Sequence, residues 1–349
     1  MTEPGATDDE LAPIRRRLLH AGATKEEVAA TDTVETLYRL AGDIGNRPKG
    51  THMSLRAVAA AAEIPLDVAV GFLHAAGLAV DDVDASTWYS SDVAWMQATH
   101  AAGALFGEEA ILVLLRRVGG SMAQLAAAAS SVFRVNLGEH GDVGEPMLIV
   151  ERNLGTRPLI DLLLDVVEQL YRYHSHLSFR EDGVAAGTFA EVRLMTVGFV
   201  DLASSTEIGS RLSATDLARA INDFNRASFD LATRRGARIV KTIGDEVMFV
   251  AMDAAAVAHS ALDLVEYFSH HEVFTAARAG VATGDVLEQD GDCYGPVVNR
   301  AARFVQAAPD GAVTADDATV RAVGPSVPAL PLPAVEHRGL GAVPWYRMG

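Results

Sequence analysis

The rhythm of apolar residues changes once along this chain, and that change limits the available folds more than any other feature. Over roughly the first 180 residues apolar side chains recur at helical spacing, in AAGALFGEEAILVLLRRV and again in PLIDLLLDVVEQLYRYH. Ala contributes much of this apolar content, which favours helix. Beyond SHLSFREDGVAAG the pattern becomes β-rich: EVRLMTVGFVDL reads as a strand. SATDLARAINDFNRASFDLATRRG is an amphipathic helix, with Leu217, Ile221, Phe224, Ala227 and Leu231 on one face. Ser213 and Asp216 form its capping box and Gly236 its stop. ARIVKTIGDEVMFVA is strand, turn, strand; DAAAVAHSALDLVEYFSHH is a second helix; FTAARAGVATGDVLEQDGD is a further strand pair. The order β-α-β-β-α-β predicts a ferredoxin-like antiparallel sheet with both helices on one face. The fold class is therefore α+β: an all-helical domain over 1–180, a linker around 176–190, and a mixed domain over 191–349.

Bulk properties exclude several functions. The net charge of −17 repels phosphate backbones and anionic lipid, so neither nucleic acid nor a membrane surface is an expected partner. Cys293 is the only cysteine, which rules out an intrachain disulfide and fits a reducing, cytoplasmic setting. MTEPGATDDE has neither the basic nor the apolar region of a secretory signal. No run reaches the roughly 18 uninterrupted apolar residues of a transmembrane segment. The best stretch, from Ala101 to Val118, contains Glu108, Glu109, Arg116 and Arg117 and is expected to be a buried helix. Residues 54–80 resemble a helix-turn-helix, with Ser54 as cap, Pro65 opening the second helix and Gly77 after it. That second helix carries Asp67 and no Lys or Arg, so two packed helices are expected rather than a DNA reader.

The chemistry concentrates in the second half. Asp201 ends the first strand, in GFVDLASST, and Asp245 lies in the turn of IGDEVMF. Strand and hairpin are neighbours in this topology, so the two carboxylates can converge, and paired aspartates hold hard cations such as Mg²⁺ beside a triphosphate. Phe199, Ser204, Ser205 and Thr206 belong to the same stretch, whose backbone N–H groups can cradle phosphate oxygens. Lys241 is the only lysine in this half, on a strand flanked by apolar residues. It is a point donor where an Arg fork would overfill a single ring nitrogen. In GDCYGPVVNRAARF, Asp292 precedes an aromatic-Gly turn, and Asn299 and Arg303 lie four apart on one helix face.

FVDLASST, VKTIGDEVMF and DCYGPVVNRAAR, in this order and spacing, resemble the catalytic domain of class III adenylate/guanylate cyclases, and HRGLGAVPWYRM resembles its closing strands. The resemblance implies that Asp201 and Asp245 hold two Mg²⁺ or Mn²⁺ ions and that Lys241 and Asp292 select the base. Asn299 would orient the ribose and Arg303 stabilise the transition state. Lys241 is donor-only and Asp292 acceptor-only, which complements adenine N1 and N6; guanine reverses both groups. Guanylate cyclases use Glu and a small residue such as Cys at these places, and Cys293 is one position from Asp292. The implied substrate is ATP and the implied product cyclic AMP, formed by in-line attack of the ribose 3′-hydroxyl on the α-phosphorus. Such domains pair head to tail, so the resemblance implies a homodimer with two shared active sites.

The N-terminal half resembles, by architecture, the helical regulatory domain of actinobacterial adenylate cyclases, the pH-sensing mycobacterial type included. A lipid or proton effector is the corresponding expectation, with His174 and His176 beside the linker as the candidate residues for the proton. Three alternatives stand beside the adenylate cyclase: a catalytically silent nucleotide sensor of the same fold, a guanylate cyclase, and a helix-turn-helix regulator.

Overall fold

The computed structural model describes residues 8–138, 146–155, 157–181, 190–333, 336–337 and 341–349. The chain divides into two compact units, Met1–Ala185 and Ala186–Gly349.

The first unit contains α1 (Asp8–His20), α2 (Lys25–Ala29), α3 (Val34–Asn46), β1 (His52–Met53), α4 (Leu55–Ala61), α5 (Leu66–Ala75), β2 (Trp88–Tyr89), α6 (Asp92–Phe106), α7 (Glu108–Gly138), α8 (Pro146–Leu154) and α9 (Arg157–Glu181). Among the described residues its regular structure is helical apart from the two-residue strands β1 and β2, which pair with each other. Leu18, Leu37 and Ala41 pack with Val150 of α8, while Leu55, Val58, Phe72, Leu73 and Met96 form a second core. Ser54 caps α4 by accepting from the Ala57 amide. Helices α4 and α5 cross at 110°, the angle of a helix-turn-helix. Helix α5 packs against α7, where Gly119 admits the carbonyl of Ala76. A side chain at Gly119 would collide with that carbonyl, so the would-be recognition helix is locked into the unit.

The Ala101–Val118 stretch departs from expectation. Gly107, at φ +95°, breaks it into the end of α6 and the start of α7. Leu105, Phe106, Leu114 and Val118 are exposed, at 48–76%. The buried-helix expectation is thus corrected. Leu112 and Leu115 pack against the core around Met96, which uses one stripe of α7 and leaves the rest of its apolar surface outside. By length and composition Glu108–Ser131 is also able to cross a membrane, with only 6% of that stretch buried. Arg116 and Arg117 interrupt the apolar run within it. His174 and His176 are exposed on α9. Of the expected linker, residues up to Glu181 are helical and 182–189 lie outside the described residues.

The second unit runs β3 (Ala190–Leu202), α10 (Ser205–Gly209), α11 (Ala214–Arg235), β4 (Arg238–Ile243), β5 (Glu246–Ala251), α12 (Ala254–Ser269), β6 (Ala277–Gln289), β7 (Asp292–Tyr294), α13 (Pro296–Ala307), β8 (Val313–Asp316), α14 (Asp317–Val323), β9 (Ala329–Pro331), β10 (Glu336–His337), β11 (Gly341–Ala342) and β12 (Trp345–Met348). The sheet order is β4-β5-β3-β6-β8-β12-β9, and its first four strands are the ferredoxin-like core. Ser213 accepts from the Asp216 amide at the start of α11, but the Asp216 carboxylate takes the Ser213 hydroxyl rather than closing a full capping box.

Strand alternation separates two cores. Val200, Leu202, Val247, Phe249, Ala279 and Val281 face α11 and α12, where Phe224 and Phe268 are fully buried. Met195, Val197, Phe199, Met248 and Val250 face the other way, against Val297, Ala301 and Val305 of α13. Gly280 permits this second layer: a Cβ there would collide with the Ala301 carbonyl and the Val305 amide. Both cores bury large side chains worth roughly 1.5–3 kcal/mol each. The α13 face is covered only in part, and the candidate site occupies the rest.

Candidate active site

Three elements meet at one corner of the sheet. Asp201 lies opposite Glu246 on β5 and opposite Arg278 on β6, a single row across three strands. Directly opposed residues share a sheet face, and alternation puts Asp201 on the α13 side with Phe199. Asp245 sits in the two-residue turn after Ile243, where Gly244 takes φ +64°. The Leu202 amide donates to the Asp245 carbonyl at 3.2 Å, tying that turn to the end of β3. The Ser205 hydroxyl donates to Asp245 Oδ2. Arg278 Nε and Nη2 both donate to Asp201 Oδ2, at 2.9 and 2.7 Å.

This corner is short of positive charge. Burial pushes the Asp201 carboxyl up, Arg278 opposes the shift, and Asp245 and Asp310 add to it. Glu246 is pushed up to about 7, first by burial and then by Asp201 and Asp245. Asp201 and Asp245 offer hard oxygen donors of the kind that suit Mg²⁺ or Mn²⁺. Among the described residues no group of three or more His, Cys, Asp or Glu is placed to hold a metal ion by itself. Two aspartates with the remaining positions left to phosphate and water is the usual Mg²⁺ arrangement at a nucleotide.

The second charged group lies on the same face. Lys241 opposes Met248, just past a bulge after Ile239. Its Nζ donates to both Asp292 oxygens, at 2.8 and 2.6 Å. Asp292 opens β7, and its Oδ1 also accepts from the Cys293 amide at 2.8 Å. A second bridge, Arg238 to Glu288, joins β4 to the β6–β7 hairpin. Side-chain exposures of 37% for Lys241 and 21% for Asp292 leave the pair open to a ligand. Cys293 is buried in the α13 core, and burial pushes its thiol up to about 11. Asp292, not Cys293, therefore faces Lys241.

Gly295, at φ +122°, and Pro296 open α13. Asn299 and Arg303 lie one turn apart on its exposed side, opposite the buried Ala301 and Val305, and Arg303 Nη1 donates to Gln306 at 3.0 Å. Arg300 bridges to the buried Asp316 at 2.6 Å and pins the helix to β8. Phe199, 5% exposed, belongs to the core packed against α13. Ser204 is exposed, in left-handed backbone at φ +57°, Ser205 is engaged by Asp245, and the side chain of Thr206 lies outside those described. The site residues thus fall into an acidic corner, a Lys–Asp pair and an amide–guanidinium pair. Beside them Ile243 and Tyr294 are exposed apolar side chains, at 58% and 42%. Sequence reasoning missed Glu246 and Arg278. A lone Arg in the Ala-, Gly- and Val-rich AARAGVATG was the available signal for the second.

The adenylate and guanylate cyclase catalytic domain matches residues 188–329. An adenylate cyclase of Streptomyces coelicolor is 33% identical over 267 residues, covering 74% of this chain and 68% of that protein. An uncharacterized protein of Mycobacterium tuberculosis is 31% identical over 335 residues, 93% of this chain and 86% of its own. The pH-sensitive adenylate cyclase of the same species is 28% identical over 335 residues, 92% and 81% of the two chains. With a ferredoxin-like core presenting paired aspartates, a Lys–Asp pair and an Asn/Arg helix face, the chain belongs to the class III adenylate/guanylate cyclases and is an enzyme of that class.

Proposed function

We propose that the chain converts ATP to 3′,5′-cyclic AMP and pyrophosphate, with 191–349 as the catalytic domain and 1–180 as a regulatory domain joined to it by a linker around 176–190. The observation that carries the choice of base is the Lys241–Asp292 contact with Cys293 turned into the core. Lys241 donates to adenine N1 and Asp292 accepts from N6, while guanine would leave both groups mismatched once it covered them. Asp201 and Asp245 would hold two Mg²⁺ or Mn²⁺ ions, which supply Lewis-acid polarisation of the 3′-hydroxyl and charge neutralisation of the triphosphate.

Asn299 orients the ribose so that its 3′-oxygen lies in line with the α-phosphorus. The 3′-hydroxyl gives up its proton to water as its oxygen bonds to that phosphorus and the bond to the bridging α–β oxygen breaks, and pyrophosphate leaves. Arg303 places its guanidinium where negative charge develops. The backbone of Ser204, Ser205 and Thr206 receives phosphate oxygens. Two copies pair head to tail, the acidic corner of one facing Lys241, Asn299 and Arg303 of the other, and the exposed Ile243 and Tyr294 support such a partner. A proton effector, the property in the name of the M. tuberculosis relative, would act through His174 and His176, and a flattened pH–activity profile in H174Q/H176Q checks it.

Purified protein incubated with Mn²⁺ and either ATP or GTP tests the reading. Cyclic AMP from ATP, with GTP turned over at least tenfold more slowly, is the expected result; cyclic GMP as main product, or binding without turnover, contradicts it.

A further inference from the structure

We infer that Arg278 is a positioning residue of the acidic corner. It holds Asp201 by one carboxylate oxygen, leaves the other for a divalent cation, and weakens that cation's binding by sharing the carboxylate. The inference rests on the reading of Asp201 as a metal ligand.

A guanidinium fork commonly spans both oxygens of a carboxylate. Here Nε and Nη2 converge on Oδ2 alone, so Oδ1 stays outside the fork. Arg278 is directly opposite Asp201 in the β3–β6 ladder, and both side chains are largely shielded, at 31% and 18% exposure. The strand fixes the guanidinium, and the guanidinium fixes the rotamer of Asp201. Its charge also matters. Asp201, Asp245 and Glu246 crowd one corner, and Arg278 is the cation set against Asp201 there. It offsets part of their repulsion before a dication arrives and repels the dication afterwards. Removing one positive charge at this range is worth about tenfold in dication affinity after screening.

Charge and geometry separate in two substitutions. Arg278→Gln removes both; Arg278→Lys keeps the charge but offers a point donor on a flexible stem. Mn²⁺ alone is titrated into the purified full chain, nucleotide-free, and free Mn²⁺ is followed by electron paramagnetic resonance. Arg278→Gln should bind Mn²⁺ about tenfold tighter, Arg278→Lys within about twofold of the parent, and both should lose about tenfold in kcat. A purely structural Arg278 would lower Tm in both variants and leave Mn²⁺ affinity unmoved, which overturns the inference. So does weaker Mn²⁺ binding in Arg278→Gln. Asp201→Asn separates this inference from its premise. If Asp201→Asn loses Mn²⁺ and Arg278→Gln matches the parent, only the inference fails; if Asp201→Asn binds like the parent, the metal assignment falls with it.

Discussion

The acidic corner and the Lys241–Asp292 pair share one sheet face, yet their electrostatics are opposed. In the corner, burial and mutual repulsion push Asp201 and Glu246 up, with Arg278 as the opposing charge. In the pair, one ammonium meets one carboxylate at 2.6 Å and the charges cancel. The first region is incomplete until more positive charge arrives. The second is complete, and a ligand must offer both members equivalent partners before they turn to it. That difference separates the two tasks of such a site: holding a charged triphosphate, and choosing a base by hydrogen-bond complementarity.

Neutralising the corner should have the largest effect. Asp245→Asn is expected to lower kcat about a thousandfold or more, since on the proposed reading several kcal/mol of transition-state charge stabilisation depends on the ion Asp245 would hold. Steady-state cyclic AMP formation with saturating Mn²⁺ measures this. A loss below tenfold would erase the distinction between the two regions. Changing the pair should alter selectivity before rate: Lys241→Glu with Asp292→Cys should shift the ATP-to-GTP preference toward GTP by about a hundredfold. Competing ATP and GTP in one assay reads that ratio directly.

A smaller effect concerns proton linkage in the metal-free protein. The folded pKa of Glu246, about 7, lies above its ordinary 4.5, so between these values the folded state binds a proton that the unfolded state does not. The contribution of this group to stability therefore falls as pH rises from about 4.5 to 7 and is flat above. Glu246→Gln should flatten the Tm-against-pH curve over that window, and an unchanged slope would remove Glu246 from the corner. Cys293 gives the finest test of the pair. Burial holds its thiol up near 11, so it should resist a thiol reagent at pH 8 in the folded protein and react fully on denaturation. Rapid native labelling would mean that Cys293, rather than Asp292, faces Lys241.

Much of the architecture was legible because short motifs carried it. Two strand-end aspartates, a lone lysine and an Asn/Arg pair at helical spacing are local patterns, and the strand–helix order fixed which strands would be neighbours. What needed register was hidden. Arg278 meets Asp201 only because β3 and β6 align residue for residue, and Lys241 meets Asp292 across 51 residues through the β7 hairpin. The sequence also left open which of Asp292 and Cys293 turns inward, since neighbours on a strand point to opposite faces. In the helical unit the apolar periodicity of α7 predicted a helix correctly but not its burial, because periodicity marks a face that seeks cover and says nothing about whether cover is present.

On the proposed reading each site is built from the acidic corner of one copy and α13 of another. Mixing two inactive variants, Asp201→Asn and Arg303→Ala, decides whether that is so. In a mixed dimer one site carries both defects and the other carries neither. Random reassortment should then restore cyclic AMP synthesis to about a quarter of the parental rate. If every preparation of the mixture stays as inactive as the two variants alone, although the subunits exchange, the two-copy site is wrong.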